Sequence, residues 1–212
     1  MQGLAVMLEE EALRKWVSAY PVPVKDPRTV ALIMAGNIPM VGFQDLLCVL
    51  VSGHRALVKM SSDDRVLIPH ILAPFPDILE KVRWTEGKLS DFDAAIATGS
   101  NNSSRYFEYY FSRFPHIIRK SRTSVAVLTG KETVAELKAL GTDLFSYFGL
   151  GCRSVSKLFV PSGYDFSTFF GAIYDFKEVV LNKKYGNNYD YYRAIYLMNN
   201  EKLLDNNFML LK

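Results

Sequence analysis

Cys152, in the segment FGLGCRS, has the residue type and setting of a sulfur nucleophile. Gly149 and Gly151 let the backbone turn tightly and leave the thiol uncrowded. Arg153, next along the chain, favours the thiolate. The same position also fits a buried structural cysteine, the commoner fate of a lone thiol. Asn37, in MAGNIPM, follows an apolar run, and a carboxamide at a strand's carboxyl end can donate its NH₂ to a developing oxyanion. As a turn residue it equally suits a cap for the following helix. Lys59, in ALVKMSS, stands where an ammonium reaches ribose hydroxyls or a phosphate, with Ser61 and Ser62 adding hydroxyl contacts. A solvated lysine at a sheet edge is the alternative. Gly99 and Ser100, in IATGSNN, form a turn that opens a helix and offers N–H groups at a positive dipole end. An ordinary N-cap at Ser100 or Asn101 accounts for the same residues.

Other chemistries find less support. The turn at Gly99 is not G-x-G-x-x-G, so the common dinucleotide fingerprint is missing, and no G-x-x-x-x-G-K-[ST] segment supports ATP hydrolysis. Cys48 lies within LLCVL and reads as packing on an apolar helix face. His54, His70 and His116 share no spacing that makes a dyad or a metal site, and two cysteines cannot build a four-cysteine zinc site. No metal ligand is assigned. The aromatic run FEYYFSRF, from Phe107 to Phe114, reads as a helix packing face rather than a base-stacking platform.

The elements that must position these residues alternate. Residues 4–19 carry apolar side chains at helical spacing and predict one amphipathic helix, stopped by Pro21 and Pro23. Residues 29–35 form a continuous apolar run that suits a strand buried on both faces. A helix over 41–51 and a strand over 55–60 complete a βαβ unit, which implies parallel pairing. The unit recurs. Helix is expected at the start of Pro69 to Lys81, broken by Pro74 and Pro76, then strand at 93–97, helix at 102–114 and strand at 124–128. A helix over 131–148, broken near Gly141, a strand over 155–160 and a helix over 165–180 follow. The Asn- and Tyr-rich tail, 182–212, gives no clear pattern. The fold class implied is α/β, a doubly wound, mostly parallel sheet with helices on both faces. Ligands of such sheets bind at strand carboxyl ends. The loops grouped there are Gly36–Asn37, Met60–Asp64, Thr98–Asn102 and Gly149–Arg153.

Composition sets the bounds. The 212 residues are 49% hydrophobic and 22% charged, an ordinary globular balance that argues against disorder. The net charge of +3 is dispersed, with no run of five like charges, so no nucleic-acid partner is expected. The longest apolar stretch is far too short to span a bilayer, and no targeting segment is recognised. Two cysteines without a disulfide pattern fit a reducing cytoplasm.

Taken in order, AGNIP, RALVKMS, ATGS and GLGCRSVSKLFV resemble the motifs of the aldehyde dehydrogenase superfamily, and most nearly the LuxC-type acyl-CoA reductase (fatty acyl reductase) family. The resemblance runs from about Thr29 to Val160. It implies Asn37 in the oxyanion hole, Lys59 on the adenosine ribose with Ser61 also among the cofactor-binding residues, Gly99 and Ser100 over the cofactor pyrophosphate and nicotinamide, and Cys152 as nucleophile. It implies NADP or NAD as cofactor and a coenzyme A thioester as substrate, with room for a homo-oligomer in the intact protein. Residues 1–148 then correspond to a cofactor-binding domain, and 149–212 to the start of a catalytic domain. Two departures stand out. Hydrolytic members carry a Glu-Leu-Gly-Gly segment whose glutamate activates water, whereas HIIRKSRTSVAVL has no acid between His116 and Leu128. Family members are also longer on both sides, so the resemblance implies a partial or shortened member.

Overall fold

The structure is a computed structural model that describes residues 2–22 and 24–212. Pro23, read above as a helix stop, lies outside the described residues. The chain divides into two compact units that meet between Ser121 and Arg122. Residues 122–148, read above with the first domain, therefore lie within the second unit.

The first unit is built on β1 (Thr29–Ile33), β2 (Arg55–Lys59), β3 (Val82–Trp84), β4 (Ala94–Thr98) and β5 (His116–Arg119). They form one sheet in the order β3-β2-β1-β4-β5, and every pairing is parallel. The α/β fold expected from the βαβ alternation is thus present. β1 lies at the centre because its side chains are apolar on both faces. Val30 and Leu32 pack with Val58, Leu46 and Ile68, while Ala31 packs on the opposite face with Ala95, Ala97 and Phe111. Helices α3 (Phe43–Val51) and α4 (Leu67–Leu72) cover the first face, and α6 (Asn101–Phe111) covers the second. Each fully buried aliphatic side chain in these layers contributes about 1.5–3 kcal/mol.

Some boundaries differ from expectation for local reasons. Residues 4–19 are two short helices, α1 (Gln2–Met7) and α2 (Glu10–Val17), parted at an extended Glu9. The acidic run 9–11 explains the break, because Glu10 and Glu11 gain more in the first turn of a new helix than inside a longer one. The 69–81 segment splits across Pro74 into α4 and α5 (Pro76–Leu79), as its prolines imply. Pro69 falls in the first turn of α4, where a missing N–H costs no hydrogen bond. β3 and β5 are too short for a periodicity to reveal them.

The second unit contains a parallel pair, β6 (Ser124–Val127) with β7 (Val155–Phe159), and helices α7 (Val134–Phe145), α8 (Phe166–Ala172) and α9 (Lys183–Met198). Its core gathers Leu137, Phe145, Phe169, Ile173 and Phe208. A 3₁₀ segment, Tyr174–Leu181, ends what was expected to be helix to residue 180. α7 runs unbroken through Gly141, contrary to the expected break. Gly141 is there for packing, since a Cβ would stand 2.5 Å from the Phe176 ring. The tail is ordered as α9 and a short antiparallel pair, β8 (Leu204–Asp205) with β9 (Leu210–Leu211).

Candidate functional site

The strand order reverses direction between β1 and β4, which makes the carboxyl ends of these two strands the switch point of the sheet. Asn37, Lys59, Ser61, Gly99 and Ser100 stand at the strand ends and loops along this edge. β1 ends at Ile33, and Met34 N–H continues its ladder to the Lys59 carbonyl at 3.0 Å. Asn37 follows in an exposed turn. Gly36 packs so closely on the next loop that a Cβ there would lie 2.6 Å from Ser61 Cβ and Oγ. Asp64, at the end of that loop, is buried, and its carboxylate accepts the Met40 N–H at 2.6 Å. Met40 is held at φ 60°. That left-handed conformation costs a non-glycine residue roughly 1–2 kcal/mol, comparable with what a hydrogen bond to a charged group returns, about 1.5–3 kcal/mol.

Lys59 closes β2, and its Nζ donates to the Gly87 carbonyl at 2.9 Å, on the β3 side of the sheet. Gly99 and Ser100 lie on the other side of β1, two strand spacings or about 10 Å away. Gly99 N–H donates to the Arg119 carbonyl at 3.1 Å, and Ser100 caps α6 by accepting the Ser103 N–H at 3.1 Å. The N-cap role and the helix-terminus role coincide at this residue. Gly99 is required because a Cβ would approach the Phe107 ring to 2.9 Å.

Sequence reasoning missed two residues at the same edge. Arg119 ends β5, yet its Nη2 donates to Asp45 Oδ1 on the first turn of α3 at 2.9 Å. Because α3 follows β1 and β4 lies between β1 and β5, the guanidinium reaches across the carboxyl end of β4. The side chain of Asp45 is only 13% exposed, and Thr98 Oγ1 donates weakly to its other oxygen at 3.5 Å. A signal for Asp45 was available, as the lone acid in FQDLLCVLV. Arg119 carried none, because its strand was not recognised. Cys48, one turn after Asp45, is half-buried. Burial, then the Asp45 charge, push its thiol pKa above 9.0, partly offset by Arg119.

Cys152 belongs to the second unit and is exposed. It occupies a tight turn closed by Ser154 N–H on the Gly151 carbonyl at 3.0 Å, and its own carbonyl accepts the Ser124 hydroxyl at 3.1 Å. Gly149 has φ +71°, and Tyr147 and Phe148 before it are also left-handed at φ 52° and 58°. The two aromatic residues together cost roughly 2–4 kcal/mol in this conformation, a strain of the kind that gathers at functional turns. The loop Gly149–Arg153 precedes β7 and so stands at the amino end of the β6–β7 pair, not at a carboxyl end as grouped above. Among the described residues, no three His, Cys, Asp or Glu side chains gather to hold a metal ion, and no helix is long and apolar enough to cross a membrane.

The backbone is similar to several solved structures. An NAD+ complex of aldehyde dehydrogenase from Bacillus cereus matches with TM-score 0.62 at 14% identity, over 82% of this chain and 43% of that one. Proline Utilization A from Corynebacterium freiburgense matches with TM-score 0.62 at 16% identity, over 79% and 19%. The aldehyde dehydrogenase KauB from Pseudomonas aeruginosa matches with TM-score 0.59 at 17% identity, over 70% and 34%. The fold is aldehyde-dehydrogenase-like. No family model and no curated protein matches the sequence. The chain spans well under half the length of these solved relatives, from 19% to 43%. At such identities the likeness is one of fold.

Proposed function

We propose that the chain carries the cofactor-binding edge and the nucleophile of an acyl-CoA reductase of the LuxC type, reducing an acyl thioester to an aldehyde with NAD(P)H. The observation that carries this reading is the gathering of Asn37, Lys59, Ser61, Gly99 and Ser100 along one carboxyl edge of an aldehyde-dehydrogenase-like sheet. The donor set suits a dinucleotide. Lys59 brings an ammonium, Ser61 a hydroxyl, and the Gly99–Ser100 turn brings the N-terminus of α6 within reach of a pyrophosphate. Bound there, NAD(P)H supplies a hydride.

The remaining chemistry belongs to the chain. Cys152 thiolate attacks the acyl carbonyl, the bond from carbonyl carbon to coenzyme A sulfur breaks, and coenzyme A leaves with a proton. Asn37 NH₂, and likewise the Cys152 N–H, is a donor of the kind that steadies an oxyanion. The Cys152 thioester keeps the carbonyl electrophilic. After reduction, the carbon–sulfur bond to Cys152 breaks, and aldehyde and free thiol result. Hydrolysis would require a base to activate water. In the segment where hydrolytic members hold a glutamate, this chain has Arg119, and the nearby Asp45 carboxylate is already engaged by that arginine.

Incubation with a long-chain acyl-CoA, without cofactor, tests the reading. One equivalent of free coenzyme A and an acyl adduct on Cys152 by mass spectrometry are expected, with aldehyde appearing once NADPH is added. An adduct on Cys48, or aldehyde oxidised to free acid with NAD+, would sink it. Cofactor binding with no adduct would instead indicate a non-catalytic nucleotide-binding or assembly module.

A further inference from the structure

The loop that carries Asn37 is fastened to the loop that carries Ser61 at two points, one on each side of Asn37. On the near side, Gly36 presses on Ser61 so tightly that no Cβ fits between them. On the far side, Asp64 accepts the Met40 N–H at 2.6 Å. Both partners of that bond are buried, at 8% and 5% exposure. A carboxylate withdrawn from water needs a donor, and a residue at φ 60° needs something to hold it there. Each supplies the other. Met40 in turn passes its position on to α3, because its carbonyl accepts the Phe43 N–H at 3.0 Å. Asp64 is tied to its own loop by its N–H, which donates to the Ser61 carbonyl at 3.3 Å.

We infer that Asp64 is a positioning residue: through Met40 it fixes the turn that presents the Asn37 carboxamide. The inference rests on the oxyanion role proposed for Asn37. Displacing a reacting group by about 1 Å costs up to roughly 100-fold in rate, and the turn has few peptide units between its two anchors over which to absorb a lost one.

The test compares Asp64→Ala and Asp64→Asn, each alone and with Asn37→Ala, in acylation of Cys152 by acyl-CoA. Asp64→Ala is expected to slow acylation about 10- to 100-fold with little change in KM. Asp64→Asn keeps an acceptor oxygen and should stay within about threefold of wild type. Asn37→Ala should slow it about 100- to 1000-fold, and adding Asp64→Ala should slow it no further. Fully multiplicative losses, or a wild-type rate in Asp64→Ala, would overturn the inference. Side-chain ¹⁵N–¹H signals of Asn37 give a readout independent of turnover. They should shift or broaden in Asp64→Ala and recover in Asp64→Asn, and signals unchanged in Asp64→Ala refute the positioning role. If the wild-type chain forms no adduct but the signals shift as expected, the reductase reading falls and the positioning role stands. Should Asp64→Ala not fold, Asp64→Ser, whose hydroxyl falls short of Met40, carries the same comparison.

Discussion

Gly36→Ala probes the fastening of the two loops directly. Gly36 does not have a positive φ, so alanine's backbone preferences raise no objection and the cost is steric. The new Cβ would lie 2.6 Å from Ser61 Cβ and Oγ, and 3.4 Å from Asp63 Cβ. Carbon atoms in ordinary contact stand about 3.5–4.0 Å apart, so about 1 Å must be absorbed. A new Ser61 rotamer moves Oγ but leaves Cβ in place, and the backbone must yield. Overpacking of this kind costs about 1–3 kcal/mol, while losing glycine from the unfolded chain returns about 0.4–1 kcal/mol. The net expectation is a destabilisation of about 1–2 kcal/mol, which lowers Tm by roughly 5–10 °C for a unit of this size. Ser61→Gly removes both colliding atoms. The double variant should therefore melt within about 2 °C of Ser61→Gly alone, a coupling of about 1–2 kcal/mol. Melting curves of the four proteins decide the matter. Gly36→Ala melting like wild type, or two losses that simply add, would refute the packing argument.

Two further outcomes follow from the same structure. Iodoacetamide at limiting concentration should label exposed Cys152 faster than Cys48, whose thiol is half-buried and raised in pKa beside Asp45, and peptide mass spectrometry reads the ratio. The start of α7 should be acid-sensitive. Glu136 accepts the Thr133 N–H and hydroxyl, each at 2.8 Å, and these bonds hold its carboxyl below the ordinary 4.5. A depressed carboxyl pKa contributes stability that is present above pH 4.5 and lost as pH falls through the folded value. Glu136→Gln should flatten that part of an acid unfolding curve followed by circular dichroism, and an unchanged curve would count against a stabilising role for these bonds.

The strands at the centre of the sheet were legible because burial on both faces leaves a continuous apolar run, as in Thr29–Ile33. The edge strands were not. His116–Arg119 is four residues long and mostly exposed, so its sequence carries no burial pattern. The site loops at Asn37, Lys59 and Gly99 were readable from the glycines and polar residues that end apolar runs. The fastening at Asp64 and the bridge from Arg119 to Asp45 were not, because each joins residues far apart in sequence whose partnership only the sheet order creates. The tail failed for another reason. α9 lines up Tyr185, Tyr189, Tyr192 and Tyr196 on one face, but tyrosines set among Lys and Asn make only a weakly apolar stripe, and the helix buries only Gly186 and Tyr189.

The central place of β1 also bears on how the chain is made. Val30 finds one partner at Ala56 and the other only at Ala94, roughly 60 residues after itself. At about 5–20 residues per second, a ribosome exposes β1 for about 3–12 s before its second neighbour exists. Through that interval an apolar strand waits with an unpaired edge, the condition under which nascent chains associate wrongly. Slower translation between Met60 and Asp93, or a cell short of chaperones, should therefore reduce the yield of folded protein more than the same slowing after Arg119, where the sheet already has every strand it needs.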